Sequence, residues 1–426
     1  MQKQTLAQKL IASACHQPLV REGDIVTCDV DLAMFHDSSG PRRLQPMLES
    51  LGAEIWDPAR VVLVMDHFVP EEDDDSRRIL RIAREWAREK RLPHVYDSIG
   101  ICHVVLPQQG HLRPGMFCVG GDSHSPTGGA FGTYMFGVGS TEMLGVVVTG
   151  KIWLKVPRTI MMHWSGRLQA GVTAKDMMLR MIGEYGTNGA AYAAVEFAGP
   201  AVQALSMRER MTLSNMSAEL GAQTGLIAPD GVTAAWLREA GVADANADDY
   251  AHWRTDAGAP VDLRSFDATT LAPMVALPHS PSNVLPIGQI GRTPVQVAYI
   301  GACTGAKLDD LRAAAAVLKG RRVDPGVTLM VAPASVKDQQ EAEREGIMRT
   351  LVDAGAKVYA TSCGACSGYG NALKGAHNVV SSTARNFKGR MGSDNTQVFL
   401  ASPYTVAASA LTGYIADPRN VMEDEA

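Results

Sequence analysis

No apolar run in this chain approaches the length of a bilayer span, and the opening Met-Gln-Lys-Gln-Thr-Leu-Ala-Gln-Lys-Leu carries no apolar signal core. Both absences argue against a membrane-embedded or secreted protein. No block of Lys and Arg stands out either. The 426 residues sum to a formal net charge of −5, which leaves no electrostatic footprint for nucleic acid. Low-complexity tracts and short-period repeats are missing, so solenoid architectures are set aside. Cysteine is sparse: seven thiols, an odd number without a secretion signal, point to a reducing, cytoplasmic compartment. What is present is ordinary for a globular protein, 46% hydrophobic and 20% charged, with 41 Gly for tight loops. The length exceeds one simple core, so two or three domains are expected.

Three of the seven thiols fall in suggestive places. Cys363 and Cys366 sit in the Gly-rich run Ser-Cys-Gly-Ala-Cys-Ser-Gly from Ser362, close enough to ligate one metal centre. Alone, that spacing also fits half a zinc site, a redox pair or two unreactive core thiols. Cys303 lies sixty residues upstream in Ile-Gly-Ala-Cys-Thr-Gly, where the β-branched run Val295–Ile300 enters a small-residue loop. Buried strands of α/β sheets end this way, and such ends carry ligand sites. Three cysteines without an obvious fourth ligand fit an iron–sulfur cluster with one iron open, whereas structural zinc is normally closed by four. Arg385 and Arg390 follow in Ser-Ser-Thr-Ala-Arg-Asn-Phe-Lys-Gly-Arg, and paired guanidinium forks suit a di- or tricarboxylate.

Other predicted strand ends finish in Asp or His. Val61–Met65 delivers Asp66 and His67; Ile25–Phe35 runs into His36-Asp37-Ser38-Ser39-Gly40-Pro41. His103 follows Ile-Gly-Ile-Cys, and Asp122-Ser123-His124 follows Phe-Cys-Val-Gly-Gly. Repeated Asp and His at strand ends are the pattern of a site along the carboxyl edge of a sheet. A carboxylate bonded to imidazole fixes its tautomer and raises its basicity, which suits proton transfer. A single such His is more often a satisfied core residue. Ser123 fits a carboxylate contact or simple loop capping. Asn215 and Glu219 fall four apart on a helix predicted over 207–221, hence on one face, a site pair or an exposed helix pair. Cys15, Cys28, Cys102 and Cys118 match no ligand spacing and read as buried apolar residues.

Further elements frame these loops. Helices are expected over 5–15, 76–90, 173–182, 308–320 and 405–415, and strands over 159–165, 192–197, 327–331 and 357–360. The Pro-rich 271–285 reads as a linker. Domains are placed at 1–157, 158–285 (with that linker) and 286–426.

Cys303, Cys363-x-x-Cys366, the Arg385–Arg390 block and Gly121-Asp-Ser-His-Ser-Pro-Thr-Gly-Gly-Ala-Phe-Gly together resemble the aconitase superfamily, over about residues 31–410. The nearest resemblance is to large subunits of the isopropylmalate dehydratase and homoaconitase type. It implies an α/β fold: a three-domain aconitase-like α/β/α architecture lacking the C-terminal swivel domain, which a separate small subunit would carry together with a serine base. It implies one [4Fe–4S] cluster on Cys303, Cys363 and Cys366. It also implies the pairs Asp66–His67, Asp122–His103 and Glu219–His124, with His67 as the acid that protonates a departing hydroxyl. Asn215 and Glu219 match its Asn-Met-x-x-Glu helix, and Ser123, Arg385 and Arg390 its substrate contacts. The implied activity is a hydro-lyase acting on a 2-hydroxy acid, with isopropylmalate, homocitrate, dimethylmalate or a specialised analogue as candidates. The sequence departs from the family at Gly305 and Ala384, where Asn is expected, and at Arg42, where Gln is expected. The first two leave a weakened cluster or a single iron open; Arg42 near substrate implies a more anionic acid. A colourless zinc protein and an RNA-binding relative are the rival readings. The chain ends in an acidic Glu423-Asp424-Glu425 tail.

Overall fold

The computed structural model describes residues 2–370 and 372–422; the acidic tail lies outside them. Its organising elements are three sheets with one winding plan. The first runs His94–Asp97, Val61–Met65, Leu32–His36, Phe117–Gly120, Tyr134–Gly137, all parallel. Taken in order along the chain, its strands lie 3-2-1-4-5. The second, with Thr224–Leu226, Ala194–Ala198, Thr159–Ser165 and Asp262–Asp267, is parallel and lies 3-2-1-4. The third repeats 3-2-1-4-5 with Lys357–Val358, Thr328–Val331, Val297–Ile300, Asn378–Ser381 and Gln397–Leu400. In each sheet the order reverses beside the first strand, and there two loops diverge to leave a crevice.

The sequence dictates this locally. Val61–Met65 and Leu32–His36 are buried along their whole length, as strands covered on both faces must be. Helices start at side-chain caps: Thr5 with Gln8, Asp73 with Ser76, Thr173 with Asp176 and Ser206 with Glu209 each close a reciprocal capping box. The expected helices and strands appear within a few residues of their predicted bounds. Three differences have clear causes. The strand expected over 25–35 is two strands: Ile25–Asp29 pairs with Lys151–Lys155 in a separate ribbon, and the chain re-enters the first sheet at Leu32. The stretch 271–285 is not a loose linker. Its apolar residues form Met274–Ala276 and Val284–Pro286, an antiparallel pair on the edge of the third sheet. The helix expected over 207–221 is α-helical at Met207–Met216 and tightens to a 3-10 turn at Ser217–Leu220.

The first and third sheets share one core, in which Met34, Val62 and Val64 join Ala298, Ile300 and Val331. Their carboxyl edges meet: Ile101 N–H donates to the Ala334 carbonyl, Val336 N–H to that of Ile99 and Cys363 N–H to that of Asp66, each at 2.9 Å. The second sheet closes the site from the side. Ile227 N–H bonds the Gly129 carbonyl at 2.9 Å, seating Ser125–Phe131, just after His124, on the end of Thr224–Leu226. No helix among the described residues is long and apolar enough to cross a membrane.

Gly129 tests this seat. A Cβ there would collide with the Gly225 carbonyl oxygen, a backbone atom that cannot step aside. Gly129→Ala is expected to destabilise the fold by about 1–3 kcal/mol, the range for overpacking a tight interior. It should also displace His124; a thermal midpoint equal to wild type would refute this account of the contact.

Candidate active site

Strand ends from the first and third sheets open on one cavity of about 480 Å³, whose lining includes His36, His67, Asp122, Ser123, Arg385 and Arg390. Asp122, just past the end of Phe117–Gly120, is its hub. One carboxylate oxygen accepts from His103 Nε2 at 2.6 Å and from the His124 N–H at 2.7 Å. The other lies 3.6 Å from His36 Nε2 and 4.0 Å from His67 Nε2. Burial opposes ionisation of Asp122, but His103, His36 and His124 outweigh it and hold the carboxyl well below its usual range. His103 itself is pulled down by burial and stays neutral near pH 7.

His67 is built differently. Its Nδ1 bonds Asp66 Oδ1 at 2.7 Å, and the other Asp66 oxygen accepts the Cys102 N–H at 2.7 Å. Asp37 takes the N–H groups of His67 and Phe68 at 3.1 and 2.7 Å, and the His36 ring stacks on His67 at 3.8 Å between centroids. Burial pulls His67 down, yet Asp66, Asp37 and Asp122 together raise it to about 10. The imidazolium is therefore held ready beside the cavity, with Nδ1 committed and Nε2 free to give its proton.

Glu219 forms the third cluster. Its Oε1 accepts from His124 Nε2 at 3.0 Å and from Arg385 Nε at 2.7 Å. Burial raises it, and His124 and Arg385 more than reverse that, so the carboxyl is held below its usual value. Glu219 stands on the tightened turn Ser217–Leu220, while Asn215, still on the α-helix, gives Nδ2 to Thr127 at 2.8 Å and to Cys303 Sγ at 3.2 Å. The three pairs expected by resemblance thus occur as contacts.

Behind the cavity lie the thiols. Cys303 and Cys366 are buried and Cys363 half-buried. Cys363 and Cys366 hydrogen-bond one another; that bond, helped by Arg390, His124 and Arg385 against the effect of burial, brings Cys366 down to about 5. Burial pushes Cys303 up to about 12. The donor set fits an iron–sulfur cluster, with soft thiolates on two loops that follow Val297–Ile300 and Lys357–Val358 of the third sheet. Buried atoms left without a partner agree: Asn215 Oδ1, Glu219 Oε2 and Arg390 Nε all belong to side chains around this site. Glycine at 305 has a local reason: a Cβ there would strike Ser382 Cβ and Oγ, and that hydroxyl bonds the carbonyls of Gly301 and Gly305 and accepts the Gly301 N–H. Ala384 is buried in the apolar cluster behind the loop.

The structure places Arg42 elsewhere than expected. Its Nε donates to the Ser38 carbonyl at 3.1 Å and its guanidinium lies over the Phe68 ring. It is the next residue, Arg43, that lines the cavity. Sequence reasoning also left His36 and Asp37 unassigned, although His-Asp at a strand end mirrors Asp66-His67. Two interior lysines gave no signal. Lys175 Nζ donates to the Ser382 and Thr383 carbonyls at 2.7 Å, and Lys307 Nζ to the Cys303 carbonyl at 2.9 Å, bracing the loops that carry Cys303 and Arg385. Of the four other thiols, Cys28, Cys102 and Cys118 are buried, but Cys15 is only half-buried.

Residues 8–413 match the aconitase family (aconitate hydratase). The chain belongs to the aconitase family and is an enzyme of the hydro-lyase class. Among its relatives is the 3-isopropylmalate dehydratase large subunit 1 of Methanopyrus kandleri, 40% identical over 418 residues, 97% of this chain and 99% of the relative. The 3-isopropylmalate dehydratase large subunit of Nitratidesulfovibrio vulgaris is likewise 40% identical over 418 residues, with the same coverage. A probable methanogen homoaconitase large subunit from Methanosarcina mazei is 43% identical over 397 residues, 92% of this chain and 99% of the relative.

The raised His67 sets a pH dependence. Its folded value of about 10 lies above the ordinary 6.5, so the charged pair stabilises the fold fully below pH 6.5 and is lost as pH rises through about 10. The thermal midpoint should fall over that interval, and Asp66→Asn should flatten the fall. Parallel pH profiles for the two proteins would contradict the pairing.

Proposed function

We propose that this chain is the catalytic large subunit of a two-subunit hydro-lyase of the isopropylmalate dehydratase type, which dehydrates or isomerises a 2-hydroxy di- or tricarboxylic acid. The observation that carries this reading is one cavity lined by His67, Asp122, Arg385 and Arg390, with three His–carboxylate pairs among and beside these residues and the thiols tied in next to them, Cys363 through its N–H to the Asp66 carbonyl and Cys303 through Asn215. The related homoaconitase-type chemistry would use the same groups on a different acid.

In this reading Cys303, Cys363 and Cys366 hold a [4Fe–4S] cluster, which when bound supplies a Lewis acid for the substrate's hydroxyl and carboxylate oxygens. Asn215, bonded to Cys303 Sγ, fixes that ligand's orientation. Arg385 and Arg390 bind substrate carboxylates, with Arg385 aimed by its bond to Glu219. Ser123, exposed on the cavity lining, adds a hydrogen bond to a carboxylate. His67 gives its Nε2 proton to the departing hydroxyl, which leaves as water, while Asp66 and the stacked His36 hold the ring in place. Asp122 keeps His103 and His124 in register and faces His67 with negative charge.

Removal of the proton from the neighbouring carbon needs a base. Asp66, Asp122 and Glu219 already accept bonds from histidine or arginine, which argues that the base comes from elsewhere. A serine on a separate small subunit, carried on a swivel domain, fills that role. The names of the relatives as large subunits support such a partner.

Anaerobic reconstitution followed by iron and sulfide analysis tests the centre. About four irons and four sulfides per chain are expected, with a brown colour lost in Cys363→Ser; zinc alone, or one iron without sulfide, would exclude it. A second check concerns the carboxylate contact. Arg385→Lys should cut kcat/KM by about a hundredfold, as loss of an oriented charged donor does, with little change in thermal midpoint. Unchanged turnover would remove Arg385 from the substrate's binding site.

A further inference from the structure

Three guanidinium groups line the cavity, those of Arg43, Arg385 and Arg390. They differ in what they already hold. Arg385 gives Nε to Glu219, and Arg390 keeps a buried Nε without a partner. The guanidinium of Arg43 is exposed and forms no hydrogen bond or ion pair with a described residue.

The position of Arg43 in its helix makes the missing partner informative. Arg42 and Arg43 stand in the first turn of Pro41–Leu51, a turn with no acidic residue. Cations there face the positive end of the helix dipole, which favours Asp, Glu or a bound anion instead. Arg42 is drawn aside by the Ser38 carbonyl and the Phe68 ring. Arg43 has no such relief, and it projects onto the cavity beside Ser38 and Ser39, hydroxyl residues of the same wall. An alkyl tail would gain nothing from these neighbours, because apolar groups gain only by burial against apolar surface. A carboxylate would gain a guanidinium and two hydroxyl donors.

The count of charges points the same way. A 2-hydroxy dicarboxylate has two carboxylates, and Arg385 and Arg390 answer to two. A third guanidinium on the same cavity answers to a third. We infer that Arg43 is a specificity-determining residue that receives a carboxylate on the tail of the substrate, so that the chain prefers a tricarboxylic to an alkyl-tailed 2-hydroxy acid. This rests on the hydro-lyase reading above and narrows its substrate class.

Anaerobic calorimetric titration of the cluster-loaded full chain, with homocitrate as the tricarboxylate and 2-isopropylmalate as the alkyl-tailed acid, tests it. Wild type should bind homocitrate more tightly. Arg43→Gln should weaken homocitrate by roughly five- to tenfold, the range for one partly exposed ion pair, and leave isopropylmalate within about twofold. The difference should shrink with added salt, and Arg43→Lys should keep part of it. Because the side chain is exposed, the thermal midpoint should not move. Tighter binding of isopropylmalate by wild type overturns the inference, as does a loss shared equally by both acids or no loss at all. A loaded chain of four irons that binds neither acid would instead overturn the hydro-lyase reading from which the inference starts.

Discussion

The half-buried carboxylate of Asp122 is the constraint on which the rest of the site depends. It sits where the strand order of the first sheet reverses, between the ends of Leu32–His36 and Phe117–Gly120. A single ionised group in that crevice costs a great deal of solvation, and only several nearby donors make the cost tolerable. His103 and the His124 N–H meet one oxygen, and the rings of His36 and His67 face the other. Four elements are thereby held to one point, and the His36 and His67 rings line the cavity. The same network separates protonation states that would otherwise be alike: His103 stays neutral through burial, whereas His67, between Asp66, Asp37 and Asp122, stays charged.

The three sheets explain how residues so distant in the chain reach that point. All follow one winding order, and in the first and third the crevice at the reversal carries chemistry: His36 and Asp122 in one, Cys303 and the Ser382–Arg385 loop in the other. Their edges are joined by the bond from Cys363 N–H to the Asp66 carbonyl, which ties the thiol loop to the residue before His67. The second sheet adds no thiol. It contributes the turn with Glu219, which bonds residues of both other units, and buried Lys175, which ties the Ser382 and Thr383 carbonyls.

Much of this was legible in the sequence because the relevant signals are local. Val-Val-Leu-Val-Met ending in Asp-His reads as a buried strand delivering polar groups to an edge, and Ser-Cys-Gly-Ala-Cys-Ser-Gly, rich in small residues, reads as a tight loop. Whole elements such as Val61–Met65 and Thr159–Ser165 were read to the residue. What escaped was set by tertiary contact. Nothing near Lys175 or Lys307 announces that their ammonium groups end on backbone carbonyls of distant loops. Arg42 and Arg43 are equivalent in sequence, and only the Phe68 ring and the Ser38 carbonyl decide which one reaches the cavity. The stretch 271–285 looked like a linker because its prolines hide two three-residue strands, which pair with each other and join the third sheet only through Ala276 beside Leu400.

The bond between Cys363 and Asp66 joins residues almost three hundred positions apart, and Arg385 meets Glu219 across 166. Contacts of that span form late in folding, since the entropy of closing so long a loop must be met before they return anything. The individual sheets can wind up from neighbouring segments, but the site has no existence in any of them. Until the outer two dock edge to edge, the Asp66–His67 pair of the first sheet and the thiol loops of the third lie on separate surfaces. Order of assembly is thus written into the topology: winding of the individual sheets comes first and their docking second.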